Sequence, residues 1–265
     1  MGKRIVVLGS GISGMGAALL AKSKGFNVFL SDNNKIKEDN KHILFRKKID
    51  FEEETHTLSL ILSADEIIKS PGISDHIELI QNIKEFGIPI ISEIEFAFRY
   101  TNAKIAAITG SNGKTTTTLL LYHILKSANY NVLVAGNIGI SLSRSIIEKD
   151  YDYIVLEVSS FQLDGIKSFR SDIAILLNIT HDHLDRYKNI FYNYFSSKLL
   201  ITKHQKKEDY LIYNFDDVKL KSILTKAQKL PISLTKEQDI GGYYHKNKII
   251  INLKNETMII KELAL

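Results

Sequence analysis

The 265-residue chain contains no cysteine, so neither disulfides nor thiolate metal sites are available to it. It has no apolar run reaching the ~18 residues that cross a membrane. A secretory leader does not fit the start either, because MGKRIVVLGSGISG enters a strand at once and its glycines break the apolar run. These absences predict a cytoplasmic protein with no membrane partner. The net charge of +5 is modest and the lysines are scattered rather than gathered in a stripe, which argues against nucleic acid. What is present is a soluble globular composition, 44% hydrophobic and 25% charged, in a chain long enough for two domains. A mildly basic balance also suits an enzyme of phosphorylated, acidic substrates.

Strand and helix signals alternate from the first residue, which predicts α/β layers on a mainly parallel sheet. Strands are expected at 4–8, 27–31, 66–69 and 88–91, with helices near 13–24 and 77–86. Residues 92–102 read as a helix plus linker. The reading is a Rossmann-like unit over 1–95 and a P-loop-type mononucleotide-binding unit over 96–265. Strands of the second unit are expected at 105–108, 132–135, 153–158, 173–179 and 210–214. Polar and apolar residues alternate over 243–253 and 257–263 around Lys254-Asn255-Glu256, predicting a terminal β-hairpin.

The densest signal is KIAAITGSNGKTTTT at 104–118, an apolar strand, a glycine-rich turn and a helix start. Such a loop aims backbone N–H groups and one lysine at a phosphate chain. Gly110 and Gly113 admit close backbone approach, Lys114 can follow the β- and γ-phosphates, and the Thr115 hydroxyl can hold Mg²⁺. Leu119, Leu120, Leu121, Ile124 and Leu125 are expected to form the buried stripe of the helix. The spacing T-G-x-N-G-K-T is shorter than the usual P-loop, which would require glycine where Ile108 stands. The flanking strand and helix supply the context that a chance Gly-Lys-Thr would lack.

A second loop, Gly9, Gly11 and Gly14, follows the first strand as G-x-G-x-x-G, with Asp32 closing the next strand. Alone this is a dinucleotide fingerprint and favours an NAD-dependent oxidoreductase. The unit looks too short for both halves of a dinucleotide fold, and no residue set for hydride transfer stands out. We therefore expect a half-site for one nucleotide, such as a nucleoside diphosphate carried on the substrate.

Glu157 ends the strand YIVLE, where a Mg²⁺ ligand beside a phosphate loop belongs. His181 and His183 lie in NITHDHLDRY at 178–187, but no third ligand of fitting spacing supports zinc. A magnesium ion held partly by phosphate agrees better, although imidazole is an unusual ligand for it.

GSGISG at 9–14, SPGI at 70–73, TGSNGKTT at 109–116, GNIG at 136–139, LEVSSFQL at 156–163 and NITHDHLDRY together resemble the ATP-dependent Mur ligases of peptidoglycan synthesis. SSFQL followed by DHLDRY resembles the branch of that family that adds D-glutamate. The resemblance implies ATP and Mg²⁺ as cofactors and UDP-N-acetylmuramoyl-L-alanine and D-glutamate as partners. ATP would convert the alanyl carboxylate to an acyl phosphate, which the amine of D-glutamate then attacks. Gly110, Ser111, Asn112, Gly113, Lys114, Thr115 and Thr116 would bind ATP. Thr115 and Glu157 would hold one Mg²⁺, and His183 with Lys198 a second. Lys114, His183 and Lys198 would be catalytic, Lys198 as a carbamate formed from its neutral amine. Ile12, Ser13, Asp32, Asn33, Gly72, Asn137, Ser159 and Gln162 would contact the UDP substrate. The family's third, D-glutamate-binding domain has no counterpart in these residues. The chain alone, expected as a monomer, should bind the UDP substrate yet ligate poorly; a non-catalytic nucleotide-sugar-binding remnant is the other reading.

Overall fold

The computed structural model describes residues 2–254 and 256–260. The first unit runs β1 (Arg4–Leu8), α1 (Ile12–Ser23), β2 (Asn27–Ser31), α2 (Glu38–Arg46) and β3 (Asp50–Glu52). It continues through α3 (Leu58–Leu62), β4 (Glu66–Lys69), α4 (Glu78–Glu85) and β5 (Ile90–Ile91). The five strands are parallel in the order β3-β2-β1-β4-β5. The order reverses beside β1, so the crevice above its C-terminal end is where such sheets bind ligands. Strands flank that crevice on both sides, β5 being only 2 residues long.

A short helix, α5 (Glu93–Phe98), leads to the second unit. There follow β6 (Lys104–Thr109), α6 (Lys114–Ser127), β7 (Val132–Gly136), α7 (Leu142–Ser145) and β8 (Tyr153–Glu157). Next come α8 (Ser160–Leu163), β9 (Ile173–Leu176), a 3-10 turn at Leu184–Tyr187, α9 (Phe191–Leu199) and a second 3-10 turn at Leu200–Thr202. The chain then forms β10 (Tyr210–Asn214), α10 (Val218–Lys221), β11 (Gln228–Ser233), β12 (Gly241–His245), β13 (Lys248–Leu253) and β14 (Glu256–Ile260). The nine strands lie in the order β14-β13-β12-β11-β10-β9-β6-β8-β7, antiparallel only at β12-β13 and β13-β14. The expected single strand over 243–253 is broken by a turn at Lys246 and Asn247, both with φ near the left-handed value (47° and 59°). Two positive φ angles in sequence make the turn that matches strand twist. The antiparallel region is thus a three-strand meander. The expected turn residue Asn255 and the end of the 257–263 strand beyond Ile260 lie outside the described residues.

One continuous core runs through both units. It includes Val7, Leu20 and Leu30 of the first unit, Phe96 of α5, and Ala107, Leu156 and Leu176 of the second. Helix α5 is therefore not a loose linker. Glu95, fully buried, accepts the N–H groups of Lys167 (2.9 Å), Ser168 (2.9 Å) and Phe169 (2.7 Å) and the Ser168 hydroxyl (2.6 Å). Glu93 accepts from Ser141 Oγ (2.8 Å) and the Ser143 N–H (2.6 Å). The two carboxylates fix the second unit against the first by satisfying donors that burial would otherwise strand.

The expected stripe of α6 is wrong on three positions: Leu119, Leu120 and Ile124 are exposed. Leu121, Tyr122 and Leu125 instead face Ile108, Val132 and Val155, with Thr118 buried beside them. The helix rotates so that Thr115 points at the strand ends, and that rotation turns the neighbouring leucines outward.

Candidate active site

The phosphate loop leaves β6 between β9 and β8, in the interior of the sheet. Gly113 takes φ +82° at the helix start, which any Cβ would strain. The loop is tied down by the 178–180 segment. The Ser111 N–H donates to Asn178 O (2.9 Å), the Asn112 N–H to Asn178 Oδ1 (2.9 Å), and Ser111 Oγ meets Thr180 O (3.0 Å) and Tyr194 Oη (3.0 Å). Ser111 and Asn112 thus shape the loop with their side chains and backbone.

Two ammonium groups converge on one carbonyl. Lys114 Nζ donates to Gly110 O (3.0 Å) and Ser111 O (2.9 Å), and Lys198 Nζ to Gly110 O (2.9 Å). Lys198 is 2% exposed and lies over the Tyr194 ring, 4.7 Å from its centre. Burial, and then the nearby Lys114 charge, push its amine down to about 7. A lysine on a mid-sequence helix carries no local mark of this, since its burial comes from packing and the neighbouring charge, Lys114, is 84 positions away in the chain.

On the other side of the loop, Thr115 Oγ1 donates to Glu157 Oε2 (2.7 Å) and Asn137 Nδ2 to Glu157 Oε1 (2.9 Å). Glu157 is 1% exposed, and among the described residues no cation lies within ion-pair distance of it. The buried carboxyl is held only by neutral donors and has no cationic partner among the described residues. Its oxygens and the Thr115 hydroxyl form a hard-oxygen pair suited to Mg²⁺, which keeps waters and takes few protein ligands. Among the described residues no cluster of three His, Cys, Asp or Glu side chains could hold a metal unaided.

His183 stands apart from this pair. Its backbone is left-handed (φ 48°), its ring lies 5.4 Å from that of Phe161, and Nε2 is 3.5 Å from Asp182 Oδ2. It makes no hydrogen bond to Thr115, Glu157 or Lys198. Ser159 and Gln162 form the capping box of α8, with the Ser159 N–H on Gln162 Oε1 (3.0 Å) and the Gln162 N–H on Ser159 Oγ (3.3 Å). Thr116 is exposed beside Thr115.

In the first unit, a cleft of about 590 Å³ is lined by Ile12, Asp32, Asn34, Lys35 and Lys37, and from the second unit by Arg144. Ser13 and Asn33 do not line it. Lys35, Lys37 and Arg144 were not singled out by sequence. The first two stand beside Asp32 and could have been found as cations next to a nucleotide loop; Arg144 arrives only through the packing of α7 on α1. Asp32 Oδ2 accepts the Ser10 N–H (2.6 Å) and hydroxyl (2.6 Å), and Oδ1 the Asn34 N–H (2.9 Å). Burial opposes its ionisation, but these hydrogen bonds outweigh it and hold the carboxyl below its usual range. Asp32 thereby anchors the glycine loop.

The glycines divide by cause. A Cβ on Gly14 would run into the Gly9 carbonyl, and one on Gly9 would lie 2.7 Å from Ser70 Oγ. Gly11 and Gly72 have nothing within 4 Å of a Cβ, and neither has a left-handed φ. The protein's own packing gives no reason for glycine at those two positions.

Residues 4–79 match the MurD N-terminal domain and residues 108–262 the Mur ligase middle domain. The chain belongs to the Mur ligase family. Within it, the similarity is to proteins named UDP-N-acetylmuramoylalanine–D-glutamate ligase. That of Bacteroides fragilis is 53% identical over 253 residues, 94% of this chain and 57% of that protein. That of Christiangramia forsetii is 48% identical over 271 residues, 100% of this chain and 61% of that protein. The chain therefore spans 57–61% of the length of these curated relatives. The fold is shared with the UDP-N-acetylmuramate:L-alanyl-γ-D-glutamyl-meso-diaminopimelate ligase of Neisseria meningitides (TM-score 0.63, 18% identity, 98% of this chain and 87% of that one). It is shared also with the MurC ligase of Thermotoga maritima (TM-score 0.55, 20% identity, 98% and 61%). The oxidoreductase and binding-remnant readings find no support among these relatives.

Proposed function

We propose that these residues form the ATP- and UDP-substrate-binding body of a ligase joining D-glutamate to UDP-N-acetylmuramoyl-L-alanine in the cytoplasm. The observation that carries it is the buried Glu157 carboxyl, which has no cation within ion-pair distance among the described residues and accepts a hydrogen bond from the Thr115 hydroxyl of the 109–116 loop. We take residues 1–95 as the unit for the UDP substrate and 96–265 as the unit for ATP, acting as a monomer. Among the described residues no helix is long and apolar enough to cross a membrane.

In this reading Gly110 to Thr116 bind the phosphates, with Lys114 turning from its loop carbonyls to the γ-phosphate. Thr115 and Glu157 would hold Mg²⁺, with His183 and Lys198 contributing to a second ion. That metal would neutralise charge on the transferring phosphoryl group. The protein's part is to hold the alanyl carboxylate in line with the γ-phosphate, because a carboxylate accepts an amine only after its oxygen becomes a leaving group. A Lys198 amine titrating near neutrality is partly free base, the form that reacts with CO₂, so we assign it as the carbamylated lysine. Ile12, Ser13, Asp32, Asn33, Gly72, Asn137, Ser159 and Gln162 would line the path of the UDP substrate.

Isothermal titration of UDP-N-acetylmuramoyl-L-alanine, ATP with Mg²⁺, and NAD into the chain tests this. Binding of the first two without NAD is expected, and no binding of the UDP substrate would overturn the reading. A D-glutamate ligation assay then shows whether turnover needs more of the protein than these residues.

A further inference from the structure

The loop Ser70–Ile73, which follows β4, is gripped from one side by two cations. Arg186 sits in the same turn as His183, its N–H donating to His183 O (3.1 Å). Its guanidinium reaches across to the first unit, where Nη1 donates to Gly72 O (3.3 Å) and Nη2 to Pro71 O (3.3 Å) and Ile73 O (3.2 Å). The same group lies over the Phe161 ring, 4.4 Å from its centre, which holds the fork in place. Lys69, 8% exposed, adds a bond from Nζ to Ile73 O (2.7 Å).

Three successive carbonyls are thus drawn to one side. In a trans peptide the N–H points opposite to the C=O of the same unit, and the chain has no cis bond among the described residues. The N–H groups of Gly72, Ile73 and Ser74 therefore face away from Arg186. That of Ile73 closes a turn on Ser70 O (3.1 Å), while those of Gly72 and Ser74 make no hydrogen bond among the described residues. The loop packs against the first glycine loop, since a Cβ on Gly9 would lie 2.7 Å from Ser70 Oγ and 3.6 Å from Ile73 Cδ1. Gly72 itself has open space where a side chain would be.

We propose that Arg186 is a positioning residue for the anionic substrate: by holding the Pro71–Ile73 carbonyls it presents the Gly72 and Ser74 N–H groups to the substrate's diphosphate. Because Arg186 and His183 share one turn, the same contact sets the first unit's anion loop relative to the ATP side of the site. This rests on the UDP-substrate reading given above.

The test is titration of UDP-N-acetylmuramoyl-L-alanine and, separately, of ATP with Mg²⁺ into the chain and its Arg186→Gln and Arg186→Lys variants. Hydrogen exchange of the 70–74 amides is measured alongside. Affinity for the UDP substrate should fall roughly tenfold in both variants, since a single ammonium cannot reproduce a fork on three carbonyls. Affinity for ATP should stay within about twofold, and exchange should quicken at 70–74 while the core remains protected. Gly72→Ala, which meets no protein atom, should lose UDP-substrate affinity with unchanged thermal stability. Unchanged UDP-substrate affinity in both Arg186 variants of a chain that does bind would overturn this inference alone. Parallel loss of ATP affinity would also overturn it, reducing Arg186 to a structural contact. Failure of the unmodified chain to bind the UDP substrate would overturn the underlying reading together with it.

Discussion

Lys198→Met should make the chain more stable, and by an amount that shrinks as the pH rises. The lysine is 2% exposed and its amine is pushed from 10.5 to about 7 by burial and then by Lys114. Below pH 7 the folded and unfolded chains both carry the proton, so the full penalty of the buried charge is present. A tenfold change in proton affinity corresponds to about 1.4 kcal/mol, so that penalty is on the order of 4–5 kcal/mol. Above pH 7 the folded chain releases the proton while the unfolded chain keeps it until pH 10.5, so stability rises with pH across this window. Between pH 6 and 9 the gain is on the order of 2–3 kcal/mol. Methionine matches the stem and removes the charge. The Gly110 carbonyl keeps its bond from Lys114 (3.0 Å), so no acceptor is orphaned. Urea unfolding of both proteins at pH 6 and pH 9, in CO₂-free buffer with chelator, measures the difference. The stability gap should narrow by roughly 2–3 kcal/mol on going to pH 9, and every other titrating group cancels between the two proteins. An equal gap at both pH values would mean the amine is not depressed, and the reasoning from burial fails.

The free amine also predicts that ¹³C-bicarbonate labels Lys198 near neutral pH and that the signal vanishes in Lys198→Met; labelling elsewhere only would refute the assignment. Glu157→Gln should leave thermal stability unchanged or raised, because it replaces a buried carboxyl that has no cationic partner with an amide of the same shape, while abolishing the Mg²⁺ dependence of ATP binding in calorimetry. Gly11→Ala should lower affinity for the UDP substrate with less than about 1 kcal/mol of destabilisation. Gly14→Ala should cost about 2 kcal/mol or more because its Cβ meets the Gly9 carbonyl, a contrast that thermal melts will show. Glu95→Gln should destabilise by about 2 kcal/mol or more. Burial opposes its charge, but hydrogen bonds from Ser168, Lys167 and Phe169 win and hold its carboxyl below 4.5. Its contribution is therefore present above pH 4.5 and lost as pH falls through the folded value, and acid melts of the two proteins should converge.

Much of this protein is written in local sequence. The strand at 4–8, the two glycine loops, the strand ending at Glu157 and the Gly-Lys-Thr helix start are all contiguous patterns whose geometry follows from residue type. They sufficed for the α/β class, the strand-loop-helix at 104–118 and the family. Short strands were not legible: β3 has 3 residues and β11 carries Pro231, so neither shows a period. The α6 stripe was misread because apolar residues on successive positions do not say which face the sheet will take.

Tertiary structure decided what distance along the chain conceals. Only packing brings Lys198 within hydrogen-bond reach of Gly110, Arg144 to the cleft beside Asp32, and Arg186 to the Pro71–Ile73 carbonyls. Only packing buries Glu157 with no cationic partner among the described residues. Local sequence fixes backbone conformation because sterics and hydrogen bonding act over a few residues. The charge state of Lys198 and the direction of the Gly72 N–H depend on dielectric and on partners from other elements, and those exist only once the chain has folded.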